Sequence, residues 1–170
     1  MEINKQIVNT KEPYSYTRLQ EDIKKLKIKY PFLQVETIGE SVQKRQIQSI
    51  RIGTGSNEVM YSSSIHANEY ITTTVLMKFI EDFCEAYTKD IDIFEHNPKM
   101  IFNTSSIYIV PMLNPDGVDL VTGNIKEGTE DYNHYKEIAN QFPSIPFPSG
   151  WKANYNGVDF KNYQPIYKVL

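Results

Sequence analysis

The sequence predicts an α/β fold with a mixed sheet. Strand-like and helix-like segments alternate along it, the pattern of helices layered on a sheet. Its 170 residues fit one domain, and no internal repeat or linker divides them. With 40% hydrophobic and 23% charged residues, the composition supports a packed core.

Leu19, Ile23, Leu26 and Tyr30 recur at helical spacing, so Ser15 to Lys29 is expected to form an amphipathic helix ended by Pro31. β-Branched residues and partial alternation mark Leu33 to Ile38 and Gln46 to Ile52 as two strands of a hairpin, punctuated by Gly39, Gly53 and Gly55. A third short strand, Glu58 to Ser63, follows the Gly55-Ser56-Asn57 turn. Ile71, Val75, Leu76, Phe79, Ile80 and Phe83 then form a broad helical stripe, expected to lie against the sheet. Thr104 to Leu113 reads as a buried strand ending at Asn114-Pro115-Asp116-Gly117, a strong turn signal. Asp131 to Gln141 reads as a short polar helix, and three prolines keep Phe142 to Gly150 extended.

The net charge of −3 supplies no basic field for phosphate backbones, so nucleic acid is excluded as a partner. One cysteine, Cys84, excludes an internal disulfide and a cysteine-cluster metal site; it is expected to be a core thiol. No apolar run is long enough for a membrane span, and the first residues lack the order of a signal peptide. A cytoplasmic location without membrane attachment is the expectation.

His66 and Glu69 stand three apart in H-A-N-E, after a strand and at the mouth of a helix. That spacing points one imidazole nitrogen and one carboxylate oxygen to the same side, where they can share a cation. Alone the pattern is weak, because three His and 13 Glu produce it by chance in about one such chain in four or five. The bland alternative makes both residues polar groups at a helix entrance, with Glu69 favoured by the helix dipole. His96, in F-E-H-N-P, is placed at a helix end, and His134 lies in the polar Y-N-H-Y-K-E. Neither is assigned to a metal.

Three motifs in order, S-S-x-H-A-N-E, then N-P-D-G after an apolar strand, then W-K-A-N-x-N-G-V-D with Asn162 and Pro165 beyond, resemble the zinc carboxypeptidase family. The likeness runs from about Tyr14 to Pro165 and is strongest to the bacterial γ-D-glutamyl-diaminopimelate peptidases of cell-wall turnover. The resemblance implies a three-layer α/β/α fold, with residues 1–170 forming the amino-terminal part of a single catalytic domain. It implies zinc as cofactor, His66 and Glu69 as its first two ligands, and a peptide or cell-wall muropeptide as substrate. Lys152 stands where many members carry the arginine that polarises the scissile carbonyl, and Asn154 and Asn156 match the family's run beside the substrate site. Zinc on three protein ligands keeps a position open for Lewis-acid chemistry, and a nearby cation stabilises the developing oxyanion. Lysine brings that charge without arginine's planar fork.

The likeness decays after Asp159. Where members commonly read L-N-R-N-F-P, this chain reads Phe160-Lys161-Asn162-Tyr163-Gln164-Pro165. The clamp for a substrate's terminal carboxylate is not intact, although Lys161 and Asn162 remain candidate substrate contacts. Ordinary carboxypeptidase specificity is therefore not expected, whereas cell-wall peptidases also depart from the clamp. The resemblance also implies a third ligand, a histidine, and a general-base glutamate, both from later in the domain. Neither is found after Glu69, so the chain is expected to lack the carboxy-terminal half, to bind zinc weakly alone, and to leave a sheet edge open to association. The function expected is a zinc metallopeptidase cleaving peptide or γ-D-glutamyl-diaminopimelate bonds. The competing readings are an inactive peptide-binding module and a decayed fragment.

Overall fold

The computed structural model describes residues 6–160. Helix α1 spans Tyr16–Lys29, and the Ser15 hydroxyl caps it by accepting from the Arg18 N–H. Leu19, Ile23 and Leu26 are buried, so the predicted spacing does select the core face. The hairpin is present: β1 (Gln34–Glu40) and β2 (Gln46–Ile52) pair antiparallel. β4 (Ser105–Val110) pairs antiparallel with β2 and parallel with β3 (Asn57–Ser62). The order β1-β2-β4-β3 makes a mixed sheet, as the sequence predicts. Parallel neighbours need a crossover, supplied here by α2 (Ile71–Lys89) and α3 (Pro98–Thr104).

Ile50 and Ile52 of β2 stand beside Ile109 and Ile107 of β4 on one sheet face. They join the buried residues of α1 and, from α2, Met77, Ile80 and Phe83 in the main core. Each such side chain contributes about 1.5–3 kcal/mol on burial. The other face carries Arg51 and Tyr108, with the guanidinium 5.4 Å from the ring centroid. A second core gathers Ala67, Leu120, Tyr135, Ala139, Trp151 and Ala153 behind the segment that follows β3.

Several local expectations are corrected. Asn114-Pro115-Asp116-Gly117 does not make a turn; it starts helix α4 (Pro115–Val121), with the Asn114 side chain accepting from the Gly117 N–H. The same residue types serve turns and helix starts, and proline at the first helical position suits the second role. In α2 the predicted stripe is rotated: Ile71 and Val75 are 58% and 61% exposed, whereas Thr73 and Thr74 are buried. Thr73 tolerates burial because its hydroxyl donates to the Pro111 carbonyl. β4 stops at Val110 because the next residues turn to pair with Ser63 and Ser64. Phe142 to Gly150 folds into successive turns instead of an extended run, with Gly150 N–H donating to the Pro146 carbonyl. α3 has no counterpart in the sequence reading, since seven residues are too few to show a period. His96 therefore lies just before a helix start, in a tight turn where it exchanges two backbone hydrogen bonds with Ile93. The predicted polar helix is α5 (Glu130–Ala139).

A buried ionic network fixes α4 against the rest. Arg45 reaches Asp116 at 2.6 Å and Asp119 at 3.4 Å. The Tyr16 N–H donates to Asp119, while the Ser41 hydroxyl and the Gln43 N–H donate to Asp116. Burial pushes the Asp119 carboxyl above its ordinary range, against the opposing pull of Tyr16 and Arg45. Stripping one partner from such a network leaves an uncompensated buried charge, so α1, the hairpin and α4 are locked together.

Candidate metal centre

The site grows from the end of β3. Beyond Ser62 the chain is held by backbone bonds from Ser63 N–H to Val110, from Leu113 N–H to Ser63 and from Asn114 N–H to Ser64. Ser64 adopts a left-handed conformation (φ 47°), unusual for a residue with a Cβ, and its N–H donates to the Thr72 hydroxyl. Ala67 is fully buried and its N–H donates to the Lys152 carbonyl. The single turn Ala67–Glu69 is thereby fixed between the main sheet and the 151–159 segment.

On this fixed turn, His66 Nδ1 lies 3.0 Å from Glu69 Oε1. Two ligands at about 2.1 Å from a tetrahedral metal stand about 3.4 Å apart, so the pair needs to open by only a few tenths of an ångström. His66 is 9% exposed, and Glu69 lies at the surface. On the other side of the ring, Nε2 lies 3.1 Å from Asp159 Oδ1. That approach lacks hydrogen-bond alignment, leaving Nε2 as a buried donor aimed near a carboxylate. A carboxylate on that side of the ring is the kind of outer partner that, hydrogen-bonded to a ligating histidine, would fix its tautomer. The two predicted ligands thus fit a zinc ion, although no group of three His, Cys, Asp or Glu that could hold a metal occurs among the described residues.

Lys152 is exposed, and with Asp159 it lines a cleft of about 460 Å³ whose apolar walls include Phe142, Ile145, Trp151 and Val158. Its backbone carbonyl, by contrast, is structural, accepting from Ala67 and from the Asn114 amide. Asn154 is committed to its own loop, where Oδ1 accepts from the Asn156 and Val158 N–H groups. Asn156 is exposed. Lys161 and Asn162 lie outside the described residues.

Two contributors escaped sequence reasoning. Asp159 belongs to the quoted N-x-N-G-V-D run, but nothing local says that it meets His66. Asn114 looks like a turn residue, yet its buried amide gathers the carbonyls of Ile65, Lys152 and Ala153 at 3.1 to 3.4 Å. His134 stays out of the site, stacked on Tyr155 at 4.3 Å with Nε2 3.0 Å from the Tyr155 carbonyl. Cys84 is buried, and burial pushes its thiol pKa up, which keeps it protonated and inert.

The histidine and the glutamate sit on the turn after a strand of a mixed α/β sheet. Residues 19–166 match the zinc carboxypeptidase family, and the chain belongs to that family. It is 42% identical over 159 residues to gamma-D-glutamyl-L-diamino acid endopeptidase 1 of Lysinibacillus sphaericus, across 94% of this chain and 39% of that protein. An uncharacterized protein of Bacillus subtilis (strain 168) is 34% identical over 160 residues, across 89% of this chain and 40% of its own. Thrombin activatable fibrinolysis inhibitor shares the fold at a TM-score of 0.64 and 18% identity, across 88% of this chain and 32% of that one. The chain spans about two fifths of the length of the curated relatives it matches. No helix among the described residues is long and apolar enough to cross a membrane.

Proposed function

We propose that residues 1–170 form the amino-terminal part of a zinc-dependent peptidase domain and supply its first two metal ligands, His66 and Glu69. The observation carrying this reading is the His66–Glu69 pair at 3.0 Å with Asp159 behind the imidazole. Zinc, when bound, supplies a Lewis acid for amide hydrolysis. Asp159 lies 3.1 Å from Nε2, close enough to favour a proton there, so that Nδ1 is the nitrogen that would be presented beside Glu69. Lys152 places a positive charge on the cleft that Asp159 also lines, suited to an oxygen that gains negative charge. Asn156, Lys161 and Asn162 are assigned to substrate contact, and Asn154 acts by shaping the loop. The substrate assigned is a peptide, with a γ-D-glutamyl-diamino acid bond of cell-wall peptides as the specific candidate, supported by the name and 42% identity of the Lysinibacillus sphaericus relative.

Calorimetric zinc titration of the purified 170-residue chain tests the reading. One weak site per chain is expected, reversed by chelator and abolished in His66→Ala and Glu69→Ala. Binding that survives both substitutions overturns it. A second reading, a peptide-binding module without turnover, draws on the apolar-walled cleft that Lys152 lines. It requires peptide binding by the folded chain that is indifferent to chelator.

A further inference from the structure

The end of α2 farthest from the metal pair carries a second surface, which the peptidase reading leaves unused. α2 starts two residues after Glu69, and its rise of 1.5 Å per residue puts Ala86 about 22 Å beyond Ile71. Asp90 then turns left-handed to close the helix, and Ile93 and His96 exchange two backbone hydrogen bonds around Phe94 and Glu95. Phe94 and Glu95 both have positive φ, 50° and 65°. Two-residue turns of that shape favour asparagine and glycine, so an aromatic stands where asparagine would make the same turn with less strain. Phe94 is 76% exposed and Ile91 53%, whereas Ile93 packs on the main core.

Between this turn and the helix runs a groove of about 290 Å³, whose apolar lining is Ala86, Ile91, Ile93 and Phe94. Asp82 and Glu85, on the same helix face as Ala86, line it together with Asp92. The rim is negative. From Lys78 to Lys99 the surface holds three lysines against five carboxylates, Glu81 being turned inward to the Ile7 and Val8 N–H groups. Lys78 pairs with Asp82, Lys89 with Glu85 and Lys99 with Asp90, which leaves Asp92 and Glu95 without a lysine among the described residues. Exposed pairs of this kind are weak, so the excess carboxylates set the sign of the local field.

That sign selects the occupant. A second copy would set one acidic rim against another, on a chain whose net charge is −3, and an anionic lipid surface would repel the rim. A basic segment with apolar side chains suits both parts at once: its apolar groups enter the groove beside Phe94, while its cations meet Asp92 and Glu95. We infer that the groove between α2 and the Phe94 turn is a docking site for a basic, apolar segment of another protein, with Phe94 as the anchor. Docking there needs neither zinc nor the His66–Glu69 pair.

The probe is a fluorescein-labelled synthetic peptide of alternating lysine and leucine, titrated by anisotropy into the purified 170-residue chain in chelator. Saturable 1:1 binding that weakens with added salt is expected. The same peptide with serine in place of leucine should bind far more weakly. Phe94→Asn removes the anchor but suits the positive φ, so it should keep or raise the urea midpoint and weaken binding about tenfold or more. Asp92→Lys/Glu95→Lys should weaken binding more than Glu127→Lys/Glu137→Lys, which makes the same change of charge at exposed positions elsewhere. Absence of binding overturns the inference, as does binding that survives Phe94→Asn, ignores the loss of leucine or responds equally to the two charge reversals. Self-association of the parent chain by light scattering, lost in Phe94→Asn, would give the groove to a second copy and overturn the basic partner. Zinc titration is a separate measurement, and its constant should be the same in Phe94→Asn as in the parent chain.

Discussion

Asp159 approaches His66 from the side opposite Glu69, with Oδ1 3.1 Å from Nε2 while Nδ1 faces Glu69 at 3.0 Å. One ring thus stands between two carboxylates; in the proposed metal site Asp159 is the outer one, favouring the tautomer that leaves Nδ1 for the metal. Losing such an outer partner weakens metal binding about 10–100-fold. Asp159→Asn is expected to shift the zinc dissociation constant by that amount, whereas His66→Ala abolishes binding. Calorimetry of the two variants against the parent chain checks this; an unchanged constant in Asp159→Asn would remove Asp159 from the site.

Asn114 is the residue through which the sheet, α4 and the 151–159 segment hold one another. Its side chain is buried, caps α4 through the Gly117 N–H and gathers three carbonyls. A lost helix cap costs about 1 kcal/mol, and unsatisfied buried acceptors add about 1–3 kcal/mol. Asn114→Ala should therefore cost about 2–4 kcal/mol in urea unfolding. Asn114→Asp keeps the cap oxygen but loses the amide donor, so it is expected to recover only the cap's share.

The hairpin, α1 and α5 were legible because periodic apolar residues or turn signals span each of them. The closeness of His66 and Glu69 was equally legible, since both residues lie on one turn. What remained hidden depends on contacts between distant segments. Asp159 meets His66 only after the 151–159 segment packs behind Ala67. The rotation of α2 follows from Thr73 bonding to Pro111, a partner no helical wheel contains. Asn114 displayed its cap chemistry as a turn signal, because a local preference shared by turns and helix starts does not choose between them.

Cys84 offers a check on the interior. Burial raises its thiol pKa first, and the Glu81 carboxylate adds to the shift. A raised pKa keeps the thiol protonated, and reaction with a thiol reagent proceeds through the thiolate. In native buffer at pH 8 the thiol should react at least about 100-fold more slowly than in urea, where its pKa returns to about 8.5. Equal rates in the two conditions would place Cys84 at the surface.

Gly117 separates helix propensity from packing. It lies within α4, where alanine alone would be favoured by about 1 kcal/mol over glycine. A Cβ there would stand 2.6 Å from the Ala153 carbonyl oxygen and 2.7 Å from the Ala67 Cβ, distances that force backbone to move. Overpacking of this kind costs about 1–3 kcal/mol, so the clash outweighs the propensity and Gly117→Ala should destabilise the chain. Because Ala67 sits between His66 and Glu69, the displacement should also weaken zinc binding. Gly123→Ala is the contrast: a Cβ there meets nothing within 4 Å, but the φ of 75° strains it. It should lower the urea midpoint and leave the zinc constant unchanged. If Gly117→Ala likewise lowers stability without touching the zinc constant, the tight passage between α4 and the ligand turn holds the fold but not the metal pair.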